Sequence, residues 1–387
     1  MPKSTLPSLK WIIILSLFFA ALSFPIMVRG VFDYLHNGSD WRQGDWLISS
    51  AGGFTRRSLI GDGLIWLSDV SGLGLLLVVQ LAQTFLFVTL VFALWIIAVF
   101  HSNRHLILLL AASPAFFLIL WAGDTQGIMR KELLGMLAFA ALALAGMRAG
   151  RSVILPVLAV LFYTLGCIGN ILHIFIAPAL LAGFYILFKA DRITTGLWRG
   201  LAITTITMSA LWLWVAIWFK DAPDLDILCA PLLARGFDGH ICDGALRWMV
   251  PDLVDHHAEL VAMATPGAVM RFAIMTVLAL IPVALSMRIF QQRRDILLLA
   301  ALAFIPFLPL YAVATDWGRW VSICYMAYVL LLVLGHGVGR FTIVWMPPRW
   351  VAFVLLALAL VLSPAHGIGW QPGGVVYSLI TSLIDLI

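Results

Sequence analysis

The chain has 387 residues, 63% hydrophobic and 11% charged, with a formal net charge of +5 and a mean hydropathy of +1.03. A soluble domain is about half apolar and about a quarter charged, so a water-soluble catalytic domain is excluded. The basic residues fall in short clusters between apolar runs, a pattern that belongs to membrane topology and not to nucleic-acid binding.

The first apolar run, 9–28, has no A-x-A-like cleavage site and reads as an uncleaved signal anchor. Further runs follow at 73–100, 106–121, 132–147, 153–169, 174–188, 201–219, 268–287, 296–313, 321–338 and 350–363. About 20 apolar residues suffice to cross a bilayer as a helix. We therefore expect one integral membrane domain over 1–387, an all-α polytopic transmembrane bundle of eleven spans within a range of 10–12. The dyad alternation of a β-barrel is absent. The run 375–387 is apolar but too short to span, and reads as interfacial or re-entrant.

Placing the N-terminus in the cytoplasm puts 13 basic and two acidic residues on the inner side, against 11 basic and 17 acidic outside. That satisfies the positive-inside rule at nearly every short loop and leaves the tail 364–387 outside. The chemically interesting stretches then share the outer face. They are the loop 29–72, "GDTQGIMRKE" at 123–132, "GNILH" at 169–173, the loop 220–267 and "TDWGRW" at 315–320. No GxxxxGK[ST] and no strand–GxGxxG–helix unit occurs, so a nucleotide-driven reaction is not expected.

In the first outer loop Arg56 and Arg57 stand between glycines, with Asp45 and Asp62 on either side. Glycine permits close backbone approach to a ligand, and arginine matches phosphate oxygens two at a time. A phosphate site is one reading; lipid headgroup binding or pairing with the two aspartates is the other. Arg130 and Lys131 open the fourth span, where snorkelling is the alternative. Asp316 and Arg319 flank Trp317, with Trp320 next, after a proline-broken run "FIPFLPLYAVA". A broken helix at membrane depth is tolerated where it lines a cavity. Asp316 is the first candidate general base and Arg319 an anion binder, or the two form a structural pair. His173 joins two spans, as a site residue or as a packed one.

The loop 220–267 carries Asp224 and Asp226 in a D-x-D spacing that holds a divalent cation in some sites. It also carries Asp252, Asp255, His256, His257 and Glu259 without any HExxH or CxxC spacing. No metal or other cofactor is assigned; a divalent cation stays open. Cys229 and Cys242 are the two cysteines of this outer loop and would pair in an oxidising compartment. Of the outer tryptophans, Trp46, Trp317 and Trp320 are candidates for stacking on sugar faces, with an interfacial aromatic belt as the alternative.

Taken in order, "DWLISSAGGFTRRSLIGD", "MRKELL", a histidine between two spans and "TDWGRW" resemble a family of bacterial polytopic membrane proteins of envelope-polysaccharide synthesis. The family pattern is GGFxRRGLIG, RKE, HE and DWGRW. Ser58 stands at the glycine and Ile174 at the glutamate of that pattern. The layout is also similar to Wzy-type polysaccharide polymerases and GT-C glycosyltransferases. This resemblance implies a glycosyltransferase or polymerase of O-antigen, capsule or exopolysaccharide in the bacterial inner membrane. Its partners would be a polyprenyl-linked glycan, membrane lipid and other polysaccharide-assembly proteins. Arg56, Arg57, Arg130, Lys131 and Arg319 would neutralise the leaving phosphate, and Asp316, or else Asp45 or Asp62, would take the acceptor proton, with His173 beside them. A flippase for a lipid-linked glycan and a glycan acyltransferase are the alternatives.

Overall fold

The computed structural model describes residues 7–219, 224–250, 256–369 and 373–384. Asp252 and Asp255 lie outside the described residues, as does the side chain of His256. Among the described residues the chain is helical, with one isolated bridge between Phe290 and Ile343 in place of any sheet.

Helix α1 (Leu9–Leu35) starts at Ser8, whose hydroxyl accepts from the Trp11 amide, and runs past its expected end at 28. The loop 29–72 is consequently largely helical, with the single turn α2 (Gly44–Leu47) and α3 (Ser58–Ser71) inside it. After α4 (Leu75–Phe100), the span expected over 106–121 is two short helices, α5 (Arg104–Ala111) and α6 (Phe117–Gly123). Pro114 has no amide hydrogen to continue the ladder, and the Ser113 hydroxyl donates across to the Ala279 carbonyl at 2.6 Å. Next come α7 (Glu132–Met147) and α8 (Ile154–Gly169), then a 3-10 turn, Ile171–Ile176, that runs into α9 (Ala177–Lys189). The chain continues through α10 (Thr195–Trp218), α11 (Leu225–Leu233), α12 (His256–Met263), α13 (Pro266–Ala279), α14 (Ile281–Ile289) and α15 (Arg293–Phe304). The proline-rich run forms the expected break, a 3-10 segment Ile305–Ala312, before α16 (Trp317–Gly337), α17 (Arg349–Val361) and α18 (Val375–Ile384).

Among the described residues seven helical stretches are long and apolar enough to cross a membrane, fewer than the eleven expected. The difference lies in the α5–α6 break and in α7, α8 and α17, which have 16, 16 and 13 residues. At 1.5 Å per residue, 16 residues reach about 24 Å, short of the roughly 30 Å of hydrocarbon. Length matters less for α7, because protein rather than lipid surrounds it. Every residue from Glu132 to Ala143 is buried, as is every residue of α16 from Gly318 to Gly335. A helix apolar all round belongs in an interior.

These two helices are the axis of the bundle. α16 packs chiefly on α7, α7 packs on both α16 and α8, and α4, α9 and α15 complete the surround. Small residues let the backbones close up: a Cβ on Gly146 would lie 2.5 Å from a Leu334 methyl. Outside this core, large apolar side chains such as Leu17, Phe24, Phe85, Ile203 and Val277 are exposed. Hydrocarbon, not water, suits that perimeter. The protein is a multi-pass helical membrane protein.

Candidate functional site

The axial helices α7 and α16 begin at the same end of the bundle, and each begins with a charge. Glu132 opens α7, Arg319 sits in the first turn of α16, and the two form an ion pair that is buried on both sides. Arg319 also pairs with Asp316 at 2.9 Å, one turn before it. Removing two charges from water is tolerated only where geometry and further hydrogen bonds compensate.

The segment between α1 and α4 folds over this pair. Asp45 lies on α2 and is buried; α3 starts directly after Arg57. Gly61 allows α3 to close onto the α2 turn, since a Cβ there would collide with the Ile48 carbonyl. That approach brings Arg57 Nη1 to 3.8 Å from Asp45 Oδ1. Ser58 is buried and donates its hydroxyl to the Thr55 carbonyl at 3.0 Å, tying the turn before α3. Lys131 is wholly buried. Its stem passes over Gly169, and Nζ donates to the Arg57 carbonyl at 3.4 Å.

Arg130 and Lys131 are aimed by a strained residue. Met129 has φ +54°, a left-handed conformation uncommon outside glycine. Its carbonyl accepts from Trp46 Nε1 and from Gln83 Nε2, both at 2.9 Å. Arg130 then stacks over Trp41, 5.3 Å from the ring centre. Strain of this kind persists where surrounding structure over-determines it, and it gathers at functional sites.

Four cations, Arg57, Arg130, Lys131 and Arg319, thus surround Asp45. Burial pushes its carboxyl up, but those four together hold it below the usual carboxylate range. Burial lowers Lys131 to about 8, with Asp45 opposing and Arg57 adding to the fall. Against the four cations stand Asp45, Glu132 and the third-exposed Asp316, with Asp124 acting on Arg319 from where His366 holds it. Several buried atoms of the cluster have no hydrogen-bond partner: Asp45 Oδ2, Glu132 Oε2, Arg57 Nε and Arg130 Nε. Each such atom costs about 1–3 kcal/mol. A buried cationic cluster with unused donors and acceptors suits a polar, anionic ligand.

The other expected residues lie around this centre or apart from it. His173 is buried beside Lys131, its ring wedged where Gly135 and Gly166 leave room. Nδ1 bonds the Asn170 carbonyl at 3.0 Å, and Nε2 has no partner. Asp62 is turned away, accepting the Ser50 amide at 2.8 Å. Arg56 is held through its backbone, to the Phe219 carbonyl and Trp212. Trp46 and Trp320 are buried, and Trp317 packs edge-on against Phe272 and Tyr311, so these rings build the walls of the site. Asp224 caps α11 by accepting the Asp226 and Ile227 amides. Among the described residues no three His, Cys, Asp or Glu side chains gather as a metal site. Cys229 and Cys242 form a disulfide; Cys167 and Cys324 are buried and free.

Three features escaped the sequence reading. Glu132 is one; its signal was a carboxylate adjoining two cations at the head of an apolar helix. The second is Asp124 with His366, Nδ1 to Oδ2 at 2.7 Å, whose backbone also closes the site: the His366 carbonyl accepts the Gly318 and Arg319 amides. The third is the buried Arg42–Asp33 pair, bonded at 2.5 and 2.7 Å, which ties the end of α1 to the Thr125 carbonyl. The Asp124–His366 pair and the Arg42–Thr125 link join residues far apart in sequence, and nothing local announces them.

Comparison of the chain with known families, curated proteins and solved structures found no match. The case for this site therefore rests on its geometry.

Proposed function

We propose that this protein is a membrane glycosyltransferase or polymerase of bacterial cell-envelope polysaccharide. Its donor is a sugar on polyprenyl phosphate or diphosphate, and it works on the outer face of the inner membrane with its N-terminus in the cytoplasm. The observation that supports this most is the buried cluster of Arg57, Arg130, Lys131 and Arg319 around Asp45 and Glu132. Fixed cations aimed at a leaving group stabilise the charge that grows on it in the transition state. The acceptor hydroxyl oxygen attacks the anomeric carbon, and the bond from that carbon to the phosphate oxygen breaks. The phosphate leaves with the electron pair, and Asp45 takes the hydroxyl proton. Asp316 is bound to Arg319 and partly exposed, so Asp45 replaces it as the first choice of base. Asp45 starts ionised. Arrival of an anionic phosphate neutralises the cations that depress its pKa, and so makes it a stronger base when the donor is bound. Arg57 and Asp316, with side chains 26% and 36% exposed, mark the sides from which substrate reaches the cluster.

The test is a strain lacking the gene, its surface polysaccharide run on a gel beside strains rescued with wild type, Arg57→Ala, Asp45→Asn or Asp62→Asn. Loss of long chains with single units retained, restored by wild type and Asp62→Asn but not by the other two at normal protein levels, supports a polymerase. A unit lacking one sugar indicates a single-residue transferase instead. Full rescue by Arg57→Ala and Asp45→Asn would overturn the site.

A further inference from the structure

An apolar cavity lies far from the charged cluster. It has a volume of about 150 Å³ and sits between α1, α4, α5, α16 and α17, towards the opposite end of the bundle. Ile14, Ile107, Leu108, Val333, Ala352 and Phe353 are among its lining, which is almost wholly apolar. An apolar space of this size stays dry and takes up apolar groups.

The sequence sets a cation one helical turn beyond that lining on three separate helices. Lys10 precedes Ile14 by four residues, Arg104 precedes Ile107 and Leu108 by three and four, and Arg349 precedes Ala352 and Phe353 by three and four. Such spacings share one helix face. The three elements also meet. The Arg104 guanidinium lies 5.8 Å from the Trp11 ring of α1, and α5 packs on α17. No acidic residue is available to these cations locally, because the chain has no Asp or Glu in 1–32, 70–123 or 317–384. An apolar slot with cations one turn beyond it, none in an ion pair with a described residue, matches a molecule with a hydrocarbon tail and an anionic head.

We infer that this cavity binds one acyl chain of an anionic phospholipid, whose headgroup phosphate rests on Arg104 and Arg349. On the orientation proposed above, that lipid belongs to the cytoplasmic leaflet, where anionic phospholipids are bulk components; the leaflet rests on that orientation, the chemistry of the site does not. This site is separate from the charged cluster and serves to hold α1, α5 and α17 together around a lipid.

Phosphatidylglycerol and phosphatidylcholine are titrated into delipidated protein in detergent, with bound lipid counted by native mass spectrometry. The expected result is one phosphatidylglycerol held in preference to phosphatidylcholine. In the double variant Arg104→Ala/Arg349→Ala the affinity falls roughly thirty-fold, from the contribution of each cation near an anionic headgroup. Ala352→Leu, which narrows the cavity and keeps both charges, also weakens binding, and circular dichroism checks that both variants remain folded. Arg57→Ala, at the other end, keeps wild-type binding whether or not the glycan reading stands. Equal affinity for the two lipids overturns the inference, as does full binding by the double variant. Displacement of phosphatidylglycerol by an equimolar isoprenyl phosphate would assign the slot to that lipid instead.

Discussion

Raising the pH from 7 to 9 should weaken binding of a phosphodiester at the charged cluster about tenfold, through Lys131 alone. Burial lowers this lysine to about 8, with Asp45 opposing the shift and Arg57 adding to it. Its ammonium is then about nine-tenths populated at pH 7 and about one-tenth at pH 9. If only the charged form binds, apparent affinity scales with that fraction. A phosphodiester keeps one negative charge across this range, so the change belongs to the protein. The assay is calorimetric titration of a short-chain isoprenyl phosphodiester into the protein in detergent at pH 7, 8 and 9. Lys131→Arg, whose guanidinium stays charged, should flatten the profile. Stability of the empty protein should move the other way. A lysine whose folded pKa is depressed holds fewer protons folded than unfolded between about 8 and 10.5, so stability rises with pH across that window. The burial penalty is present below pH 8 and is relieved above it, by up to about 3 kcal/mol. Wild-type affinity unchanged up to pH 9, or the same fall in Lys131→Arg, would refute the placement of a desolvated lysine beside Arg57.

Three further outcomes follow from the packing. Glu132→Gln should destabilise the protein by about 3 kcal/mol, since it leaves Arg319 buried with Asp316 as its one remaining ion-pair partner. The double variant with Arg319→Met should be less unstable than the sum of the singles, and additivity in detergent-unfolding midpoints would count against the pair. Gly318→Ala would drive a Cβ into the Ala365 carbonyl and displace the segment that closes the site. We expect a loss of about 1–3 kcal/mol together with loss of activity, whereas Gly63→Ala, with open space around it, should do neither. Cys229→Ser removes a link spanning 13 residues, which should cost about 3 kcal/mol; reductant should then lower the melting temperature of the wild type but not of the variant.

The membrane class of the protein was legible in its composition, because a bilayer demands apolar helices and little else makes 63% hydrophobic residues. The basic residues of the cluster were legible for a related reason. Charge is costly at membrane depth, so Arg57, Arg130, Lys131 and Arg319 stand out against hydrocarbon. The disulfide could be read from two cysteines sharing one loop between apolar runs. Tertiary packing decided the rest. Apolar length alone cannot tell a lipid-facing helix from one enclosed by protein: α7 and α16 read like any other apolar run, yet both are surrounded by other helices. Hydropathy also missed the break at Pro114, which a single proline enforces inside an unbroken apolar run. Which carboxylates meet the cations was equally hidden. Asp45, Asp62 and Asp316 look alike in sequence, yet Asp45 is drawn among four cations, Asp62 caps a turn and Asp316 stays partly exposed on Arg319. Glu132 enters the site because α7 and α16 begin at the same end, and His366 because the chain after α17 returns across it. Those meetings arise from helix packing between distant segments, and no local pattern encodes them.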